Sequence, residues 1–279
     1  MISIEQKTKK NIQNYNLISR KDKILVACSG GKDSTTVLYI LKKLGYNVSA
    51  ITVDALIGNY TKQNLENIKK VCKESGVKLH VVSFRDEFGA SLCYLKSMLS
   101  GKGVKLGSCT ICGVLRRYLL NKYAKKLKAD VIATGHNMDD EVQSVLMNLF
   151  KNNLELLARS GPKTGVSNYK SFIPRIKPLY FVSEKEVKEY SKSMNFPVNY
   201  NACPCRVDAY RNHVRKLLDN YEKINPDVKK NIIDNFLKIL PLLKKKFKTI
   251  EKPLYCKSCG EPSKREKCMT CQILSKLRS

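Results

Sequence analysis

The chain has no tryptophan and only three histidines among its 279 residues. Acidic side chains are scarce as well, since 24 Asp and Glu stand against 52 Lys and Arg and leave a formal charge of +28. No apolar run approaches the roughly 20 residues of a membrane-spanning helix, and the lysine-rich N-terminus lacks the apolar segment of a signal peptide. These absences predict a cytoplasmic protein with no membrane association, and the excess of positive charge predicts a polyanionic partner such as nucleic acid.

Cysteine, in contrast, is abundant, with eleven in the chain. Most lie in C-x-x-C or C-x-C spacings, which favour metal or cluster ligation over disulfides in a sequence without secretory features. Cys28, Cys72 and Cys93 lie singly in apolar or helical contexts, and we interpret them as ordinary buried thiols. The content of 43% hydrophobic and 27% charged residues is ordinary for one globular core with a small appendage.

Apolar runs alternate with helical patterns along the first half of the chain. The runs predict strands over residues 24–28, 47–53, 77–84 and 131–134, and the patterns predict helices over 4–19, 33–44, 60–75 and 110–128. This alternation predicts an α/β fold with a doubly wound, Rossmann-like parallel sheet. The expected parts are an N-terminal helix (1–22), the sheet domain (23–182), a basic helical region that completes the active site (183–250) and a cysteine-rich module (251–279).

The most informative segment is the run CSGGKDST from Cys28 to Thr35, which joins the first predicted strand to the next helix. Its two glycines fit a tight turn, and the backbone N–H groups at the helix start would face an anion such as phosphate. A Walker A loop requires other residues where this chain has Val26 and Asp33, so the loop is not that of a P-loop NTPase. An ordinary glycine-rich turn would explain the glycines but not the flanking serines and aspartate.

Parallel sheets bind ligands at the carboxyl ends of their strands. Three segments of this chain follow predicted strands at that edge: the CSGGKDST loop, Val53 with Asp54, and the turn Thr134-Gly135-His136. We therefore expect all three segments to contribute to one ATP pocket.

The tail contains two C-x-x-C pairs within 16 residues, Cys256 with Cys259 and Cys268 with Cys271. Four thiolates at this spacing can close a tetrahedral zinc site, and so short a segment has no apolar core to fold around without metal. The lysines and the arginine beside these cysteines favour a contact with RNA over a purely structural role.

Another pair, Cys109 and Cys112, opens the predicted helix over 110–128 and has no second pair nearby. The next cysteines are Cys203 and Cys205, separated by Pro204. Two thiolates plus one from the later loop would leave one iron of a four-iron cluster without a protein ligand, a position suited to binding a sulfur species. A redox pair and a second zinc site completed by Cys205 are the alternatives.

Four motifs together resemble a known family. They are Ser29-Gly30-Gly31-Lys32-Asp33-Ser34, Cys109-x-x-Cys112 followed by Gly113 and Arg116-Arg117, the run ATGHNMDDE from Ala133 to Glu141, and Cys203-Pro204. The first is similar to the pyrophosphatase loop (PP-loop) of the N-type ATP pyrophosphatases, and the set is similar to the tRNA 2-thiolation enzymes of the TtuA and TtcA type. The run from Gly135 to Leu149 and the terminal cysteine module look closer to the thiouridine branch than to the thiocytidine branch.

The resemblance implies an ATP-dependent sulfurtransferase that adenylates the C2 oxygen of a tRNA uridine, releases pyrophosphate and replaces the oxygen with sulfur. It implies a [4Fe-4S] cluster held by Cys109, Cys112 and Cys203. It also implies that ATP and Mg²⁺ bind at the loop, with Asp33 as the magnesium contact. The catalytic residues would be Asp140 and the three cysteines. The residues expected to bind ATP are Ser29, Gly30, Gly31, Lys32, Asp33, Ser34, Val53, Asp54, Gly135 and His136.

Three arginines follow the Cys203 loop, and we predict that they bind the tRNA: Arg206, Arg211 and Arg215. The target base must leave its stack to reach a buried pocket. The sulfur donor is left open between free sulfide and a thiocarboxylated ubiquitin-like carrier protein, and a homodimer is also left open.

Three features depart from the family pattern. No cysteine-rich finger precedes Cys28, Ala55 follows Asp54 where the family tends to have glutamate, and Cys205 replaces a tyrosine after Cys203-Pro204. Competing hypotheses are thiocytidine synthesis, another adenylation of tRNA such as lysidine formation, and a catalytically idle iron-sulfur and zinc protein that binds RNA or senses redox state. Cluster content distinguishes lysidine formation, and pyrophosphate release on adding tRNA distinguishes the idle protein.

Overall fold

The structure is a computed structural model that describes residues 2–165, 172–206, 210–247, 254–263 and 265–278. The strands of its main sheet are β1 (Ile24–Ala27), β2 (Val48–Asp54), β3 (Leu79–Ser83), β4 (Val131–Thr134) and β5 (Arg175–Ile176). The helices up to β5 are α1 (Ile4–Asn14), α2 (Lys32–Lys43), α3 (Gly58–Glu74), α4 (Phe84–Phe88), α5 (Leu92–Gly101), α6 (Ser108–Lys126), α7 (Met138–Phe150) and α8 (Leu154–Ala158).

The second half of the chain is mostly helical. It contains α9 (Glu184–Ser193), a 3-10 turn (Pro204–Arg206), α10 (Tyr210–Glu222), α11 (Val228–Lys246), the hairpin strands β6 (Leu254–Tyr255) and β7 (Pro262–Ser263), and α12 (Met269–Arg278). None of the helices within the described ranges is long and apolar enough to cross a membrane.

The five strands pair in the order β3-β2-β1-β4-β5, and every pair is parallel. The predicted α/β class and parallel sheet are therefore confirmed. β1 is central, with Ala27 paired to Ile51 on one side and to Thr134 on the other. The strand order reverses at β1, so the segments after β1, β2 and β4 meet at one edge of the sheet.

Helices cover both faces of the sheet, which explains why its strands read as nearly continuous apolar runs. On one face, α1, α2, α3 and α9 pack in a core that includes Ile12, Leu38 and Val187. On the other, α5, α6 and α12 pack in a core that includes Leu95 and Leu119. α10 and α11 pack against α7 through a smaller core.

A buried lysine ties these last helices to the sheet domain. The Lys229 Nζ on α11 lies 2.7 Å from a carboxylate oxygen of Asp139 on α7 and 2.7 Å from one of Glu222 on α10. The Asp139 carboxylate also accepts a 2.7 Å hydrogen bond from the backbone N–H of Glu184, at the start of α9. A buried charge is stable only when oppositely charged partners surround it. Because these partners come from α7 and α10, the contacts of Lys229 fix the position of the helical region.

Most predicted boundaries differ from the observed ones by one or two residues, and two of the differences have a clear physical reason. The helix predicted over 4–19 ends at Asn14, because Asn16 adopts a left-handed backbone with φ of 45° and Leu17 turns into the core. The strand predicted over 77–84 ends at Ser83, whose side chain accepts a hydrogen bond from the N–H of Arg85 and caps α4. The division into four domains stays a prediction.

Candidate active site

The CSGGKDST loop leaves the end of β1 and enters α2 through a turn that only glycine allows. Gly30 has φ of +78°, and a Cβ atom there would lie 2.2 Å from the carbonyl oxygen of Asn64 on α3. The loop backbone therefore lies directly against α3. The first N–H groups of α2 have no partner within the helix and provide a place for an anion.

The two serines of the loop bond to each other. The backbone N–H of Ser29 donates to the hydroxyl oxygen of Ser34 at 3.1 Å, and the two hydroxyl oxygens are 3.3 Å apart. The N–H of Gly31 donates to the Ser29 hydroxyl at 3.3 Å. These bonds hold the loop in a closed curve, which explains the serines on both sides of the glycines.

The turn after β4 packs on the same loop, as predicted. A Cβ atom on Gly135 would lie 2.7 Å from the backbone nitrogen of Ser34, so this contact also requires glycine. The imidazole Nδ1 of His136 lies 2.9 Å from the Thr134 hydroxyl. Desolvation by the surrounding protein, followed by the charge of Lys177, lowers the pKa of His136 to about 4. The ring is therefore neutral at physiological pH.

Charged side chains at the start of α2 form a linked set. The Lys32 Nζ lies 2.9 Å from an Asp33 carboxylate oxygen and 3.1 Å from one of Glu184. Asp33 also accepts a 2.9 Å hydrogen bond from the side-chain amide of Asn137. Desolvation raises the pKa of Asp33, and the charge of Lys32 opposes that rise. The carboxylate lies in the first turn of α2, next to the loop, and could hold a cation there.

Asp140 and two of the arginines predicted to bind RNA lie next to this set. Asp140 forms a capping box at the start of α7, and its carboxylate lies 3.4 Å from Arg211 Nη1. Arg215 pairs with Glu184. Desolvation raises the pKa of Asp140, and Arg211 opposes that rise. Arg211 and Arg215 thus occupy the edge of the candidate site. The side chain of Arg206 lies outside the described residues.

The central cysteines come together from two distant segments. Cys109 and Cys112 lie in the first turn of α6, and Cys203 lies in the loop before the 3-10 turn. All three line a cavity of about 280 Å³. The same cavity is lined by Ser29, Thr52, Val53, Asp54, Tyr60, Thr61, Asn64, Gly113, Arg116 and Cys205, among others. Of the CSGGKDST loop, Ser29 therefore opens into the same space as the cysteines.

Opposing electrostatic effects act on the Cys112 thiol inside this cavity, and burial, which raises its pKa, is the larger. Burial raises the pKa of the Cys112 thiol, whereas the charge and hydrogen bond of Arg116, one helical turn later, lower it. The positive end of the α6 dipole also favours negative charge on Cys109 and Cys112. A metal or cluster would remove the proton and supply the compensating charge.

The four terminal cysteines are much more compact. Their sulfur atoms all lie within 4.8 Å of one another, and in the described part of the chain no other group of three or more potential metal ligands is as compact. The Cys259 and Cys268 sulfurs are 3.7 Å apart, close to the ~3.8 Å edge of a tetrahedron with zinc–sulfur bonds of about 2.3 Å. One metal ion fits this set.

The terminal module docks on α6. The Glu261 carboxylate accepts hydrogen bonds from the Asn121 side-chain amide and from Lys125 Nζ, the latter at 2.7 Å. Ile273 on α12 is buried in the core beside α5 and α6. The module is therefore packed on the helix whose other end carries Cys109 and Cys112.

The interpretation of Cys93 as an ordinary buried thiol was wrong, whereas Cys28 and Cys72 are buried. Cys93 is exposed, because Leu92, Leu95 and Leu99 form the buried face of α5 and Cys93 lies off that face. Its thiol interacts with that of Cys205, which also interacts with Cys203. Burial, followed by these neighbouring thiols, raises the pKa of Cys205 to about 11.

A glycine-dependent phosphate cradle at the reversal point of a parallel sheet defines a nucleotide-binding α/β protein of the PP-loop class. Comparison with known proteins agrees, because the PP-loop domain family matches residues 2–221. The tRNA-5-methyluridine(54) 2-sulfurtransferase of Pyrococcus horikoshii is 35% identical over 270 residues, which cover 96% of this chain and 84% of that protein. The cytoplasmic tRNA 2-thiolation protein 1 of Drosophila ananassae is 34% identical over 276 residues, covering 95% and 77%.

Among solved structures, the U34-tRNA thiolase NcsA from Methanococcus maripaludis with its [4Fe-4S] cluster has a TM-score of 0.78 at 28% identity. The match covers 99% of this chain and 87% of that chain. The chain therefore belongs to the PP-loop family, in the group that contains the tRNA 2-thiolation sulfurtransferases. The resemblance found in its motifs is confirmed.

Three residues of the site were not assigned a role from the sequence. Asn137 lies in the ATGHNMDDE run shortly after a strand, and this position could have indicated its contact with Asp33. Glu184 follows Ser183, which caps α9, and only the tertiary structure brings its carboxylate to Lys32. Asn64 had no signal, because it lies in the middle of α3 in an otherwise polar stretch.

Proposed function

We propose that this protein is an ATP-dependent tRNA sulfurtransferase that adenylates the C2 oxygen of a tRNA uridine and replaces that oxygen with sulfur. The observation that carries the proposal is the cavity in which Ser29 of the phosphate-binding loop and Cys109, Cys112 and Cys203 line the same walls. ATP chemistry and sulfur chemistry on one base require this proximity. The printed activities of the tRNA 2-sulfurtransferase and the U34-tRNA thiolase relatives support the same substrate class.

The nucleotide end of the site activates a poor leaving group. An oxygen at C2 leaves as AMP only after attack on the α-phosphate, with loss of pyrophosphate. The loop N–H groups from Gly30 to Ser34 would bind the departing phosphates, and Asp33 would hold Mg²⁺ against them. Lys32 is held by Asp33 and Glu184 in this structure, and its Nζ would bind phosphate oxygens when ATP occupies the loop.

The donor set fits a [4Fe-4S] cluster better than a single zinc ion. Three soft thiolates favour iron–sulfur clusters or zinc, but these three sulfurs do not meet the 4.8 Å spacing that the terminal set satisfies. A cluster places each cysteine on a different iron and so tolerates wider separations. When bound, it would supply an iron without a protein ligand, at which sulfide can be held as an anion.

The surrounding residues position the reacting groups. Arg116 donates to Cys112 and offsets negative charge on the thiolates. Arg211 holds Asp140 through its carboxylate and backbone oxygens at 3.4 and 3.2 Å. Because desolvation raises its pKa, Asp140 is suited to transfer a proton near the base. The terminal Cys₄ module would hold one Zn²⁺ and brace α6.

The net charge of +28 supports binding of a polyanion. We place the reaction in the cytoplasm, as the name of the Drosophila relative suggests. The sulfur donor, free sulfide or a thiocarboxylated ubiquitin-like carrier, and a homodimeric assembly remain parts of the proposal to be tested.

The test is a thiolation assay with anaerobically purified full-length protein, unmodified tRNA, ATP, Mg²⁺ and sulfide. Thiolated nucleosides are identified by mass spectrometry after digestion, and pyrophosphate is measured in parallel. We expect 2-thiouridine that depends on ATP, with one pyrophosphate per thiolated base. Asp33→Asn should lower both products by at least about 100-fold, because Mg²⁺ loses its anionic ligand.

The matched control is Asp86→Asn, which removes an exposed carboxylate from α4, away from the site. It should thiolate tRNA at the wild-type rate. Thiocytidine instead of thiouridine would move the protein to the other branch. Pyrophosphate without a thiolated base, despite intact iron content, would contradict the sulfur transfer with free sulfide, and repetition with a thiocarboxylated carrier would separate the two donors.

A further inference from the structure

Two arginines outside the proposed reaction lie side by side next to the cavity. Arg175, at the start of β5, donates from Nη2 to the backbone carbonyl of Arg117 on α6 at 3.1 Å. The Arg117 guanidinium rests on Gly113, since a Cβ atom there would lie 3.0 Å from Arg117 Nη1. Gly113 in turn lines the cavity beside Cys112. The pair therefore forms a positive edge one residue from the central cysteines.

Among the described residues, this positive edge has no carboxylate partner, and the charge that acts on Arg117 is that of the Cys112 thiol. Among the ion pairs of the described residues, none involves Arg117 or Arg175. The nearest acid that influences Arg175 is Glu261, whose two carboxylate oxygens are already bound by Asn121 and Lys125.

The pair also has an unused donor. The Nε of Arg175 is buried and has no hydrogen-bond partner, which is costly for a charged group. Desolvation, followed by the charge of Arg117, lowers the pKa of Arg175 to about 10. Both groups remain cationic at neutral pH. An anion that contacts the exposed Arg117 would offset the mutual repulsion of the pair.

We propose that Arg117 and Arg175 form a binding site for a backbone phosphate of the tRNA, beside the nucleotide whose base enters the cavity. A planar guanidinium fork matches a phosphate bidentately. An extruded base leaves its flanking phosphates at the mouth of the pocket, and this pair lies at the cysteine end of the cavity rather than at the ATP loop. The assignment rests on the proposed function and adds the contact that holds the RNA strand there.

The test measures tRNA affinity of the full-length protein by fluorescence anisotropy across a salt series from about 50 to 200 mM. Arg117→Gln should weaken binding roughly tenfold at the low-salt end and reduce the slope of log affinity against log salt by about 1, the effect of losing one phosphate contact. Arg117→Lys should restore most of the slope. Arg175→Gln should act in the same direction, and its unfolding temperature shows whether the link from α6 to β5 persists.

The matched control is Arg85→Gln, which removes the same charge from an exposed position on α4. It should leave the slope close to that of the wild type. Equal effects of the Arg85 and Arg117 variants would overturn the site, because net charge alone would then explain both. Unchanged tRNA binding by the Arg117 and Arg175 variants would also overturn it, while thiolation by the wild type would leave the proposed function standing.

Two further outcomes test the proposed function itself and the chemical class of the partner. Wild-type protein without salt-dependent tRNA affinity would overturn both the site and the proposed function. Variants that bind tRNA normally, use free sulfide normally and fail only with a thiocarboxylated carrier would assign the arginines to an acidic protein surface and overturn the phosphate assignment.

Discussion

The terminal and central groups of cysteines both offer thiolates as metal ligands, but they differ in how they are arranged. The terminal four lie within 16 residues of sequence and within 4.8 Å of one another in space. The central three come from α6 and from a loop far along the chain, and they line an open cavity with the phosphate-binding loop. The terminal set is closed on itself, whereas the central set faces the space where a substrate would lie.

This difference follows from how each set is assembled. A local set needs only a short hairpin, and backbone N–H groups of Cys268 and Cys271 already donate to the Cys256 and Cys268 sulfurs. A long-range set depends on the sheet, on α6 and on the helical region all being in place. Structural metal sites are closed, and reactive ones keep an open position. Under the proposed function, the terminal set contributes stability and the central set contributes chemistry.

The largest expected effect comes from breaking the central set alone. Cys203→Ser should lower thiolation by at least about 100-fold, because a metal ligand is lost outright and outer-shell partners alone are worth 10–100-fold. Iron content measured by elemental analysis should fall while zinc stays near one per chain. Zinc lost together with iron in this variant would contradict the separation of the two sets.

The next effect tests whether the central site depends on packing across the sheet. Gly135→Ala introduces a Cβ atom 2.7 Å from the Ser34 nitrogen, which should cost about 1–3 kcal/mol in overpacking and lower ATP affinity by tenfold or more. Calorimetric titration with ATP measures it. Gly101→Ala is the control, because nothing lies within 4 Å of its Cβ. Equal ATP affinity in both variants would contradict the close contact.

Removing a cysteine of the terminal set should lower the stability of the protein more than it lowers the thiolation rate. Cys271→Ser should abolish the zinc and lower the unfolding temperature by several degrees, since metal binding is folding free energy in such modules. Iron at the central site should remain. A variant that keeps its unfolding temperature without zinc would show that the packing of Ile273 suffices to hold the module.

The smallest expected effect comes from the contact between the terminal module and α6. Glu261→Gln removes the half-buried charge that pairs with Lys125, and a loss of about 1 kcal/mol should lower the unfolding temperature by roughly 2–4 °C. Glu266→Gln is the control in the same module, because its pair with Lys257 is largely exposed and should contribute almost nothing. Indistinguishable melting curves would mean that Glu261 does not brace α6.

Much of the site could be predicted because its motifs are continuous in sequence. The loop, the turn at Gly135 and the two C-x-x-C pairs each lie in one short segment, and the rule for parallel sheets brings the first two together. Glu184 beside Lys32 and Asn64 beside Gly30 could not be predicted. Both contacts join segments distant in sequence, and their registers depend on helix packing that no local pattern records. The same holds for Cys93 beside Cys205.

The sequence by itself determined the class of fold, the phosphate-binding loop and the terminal metal module, because each depends on local periodicity or on ligands spaced within a single turn or hairpin. Only the tertiary structure decided that the central cysteines share a cavity with Ser29 of that loop, that the terminal module rests on α6, and that Arg117 meets Arg175 with no carboxylate partner among the described residues. Proximity between distant segments is set by the packing of whole helices on the sheet, and side-chain burial and charge balance follow from that packing.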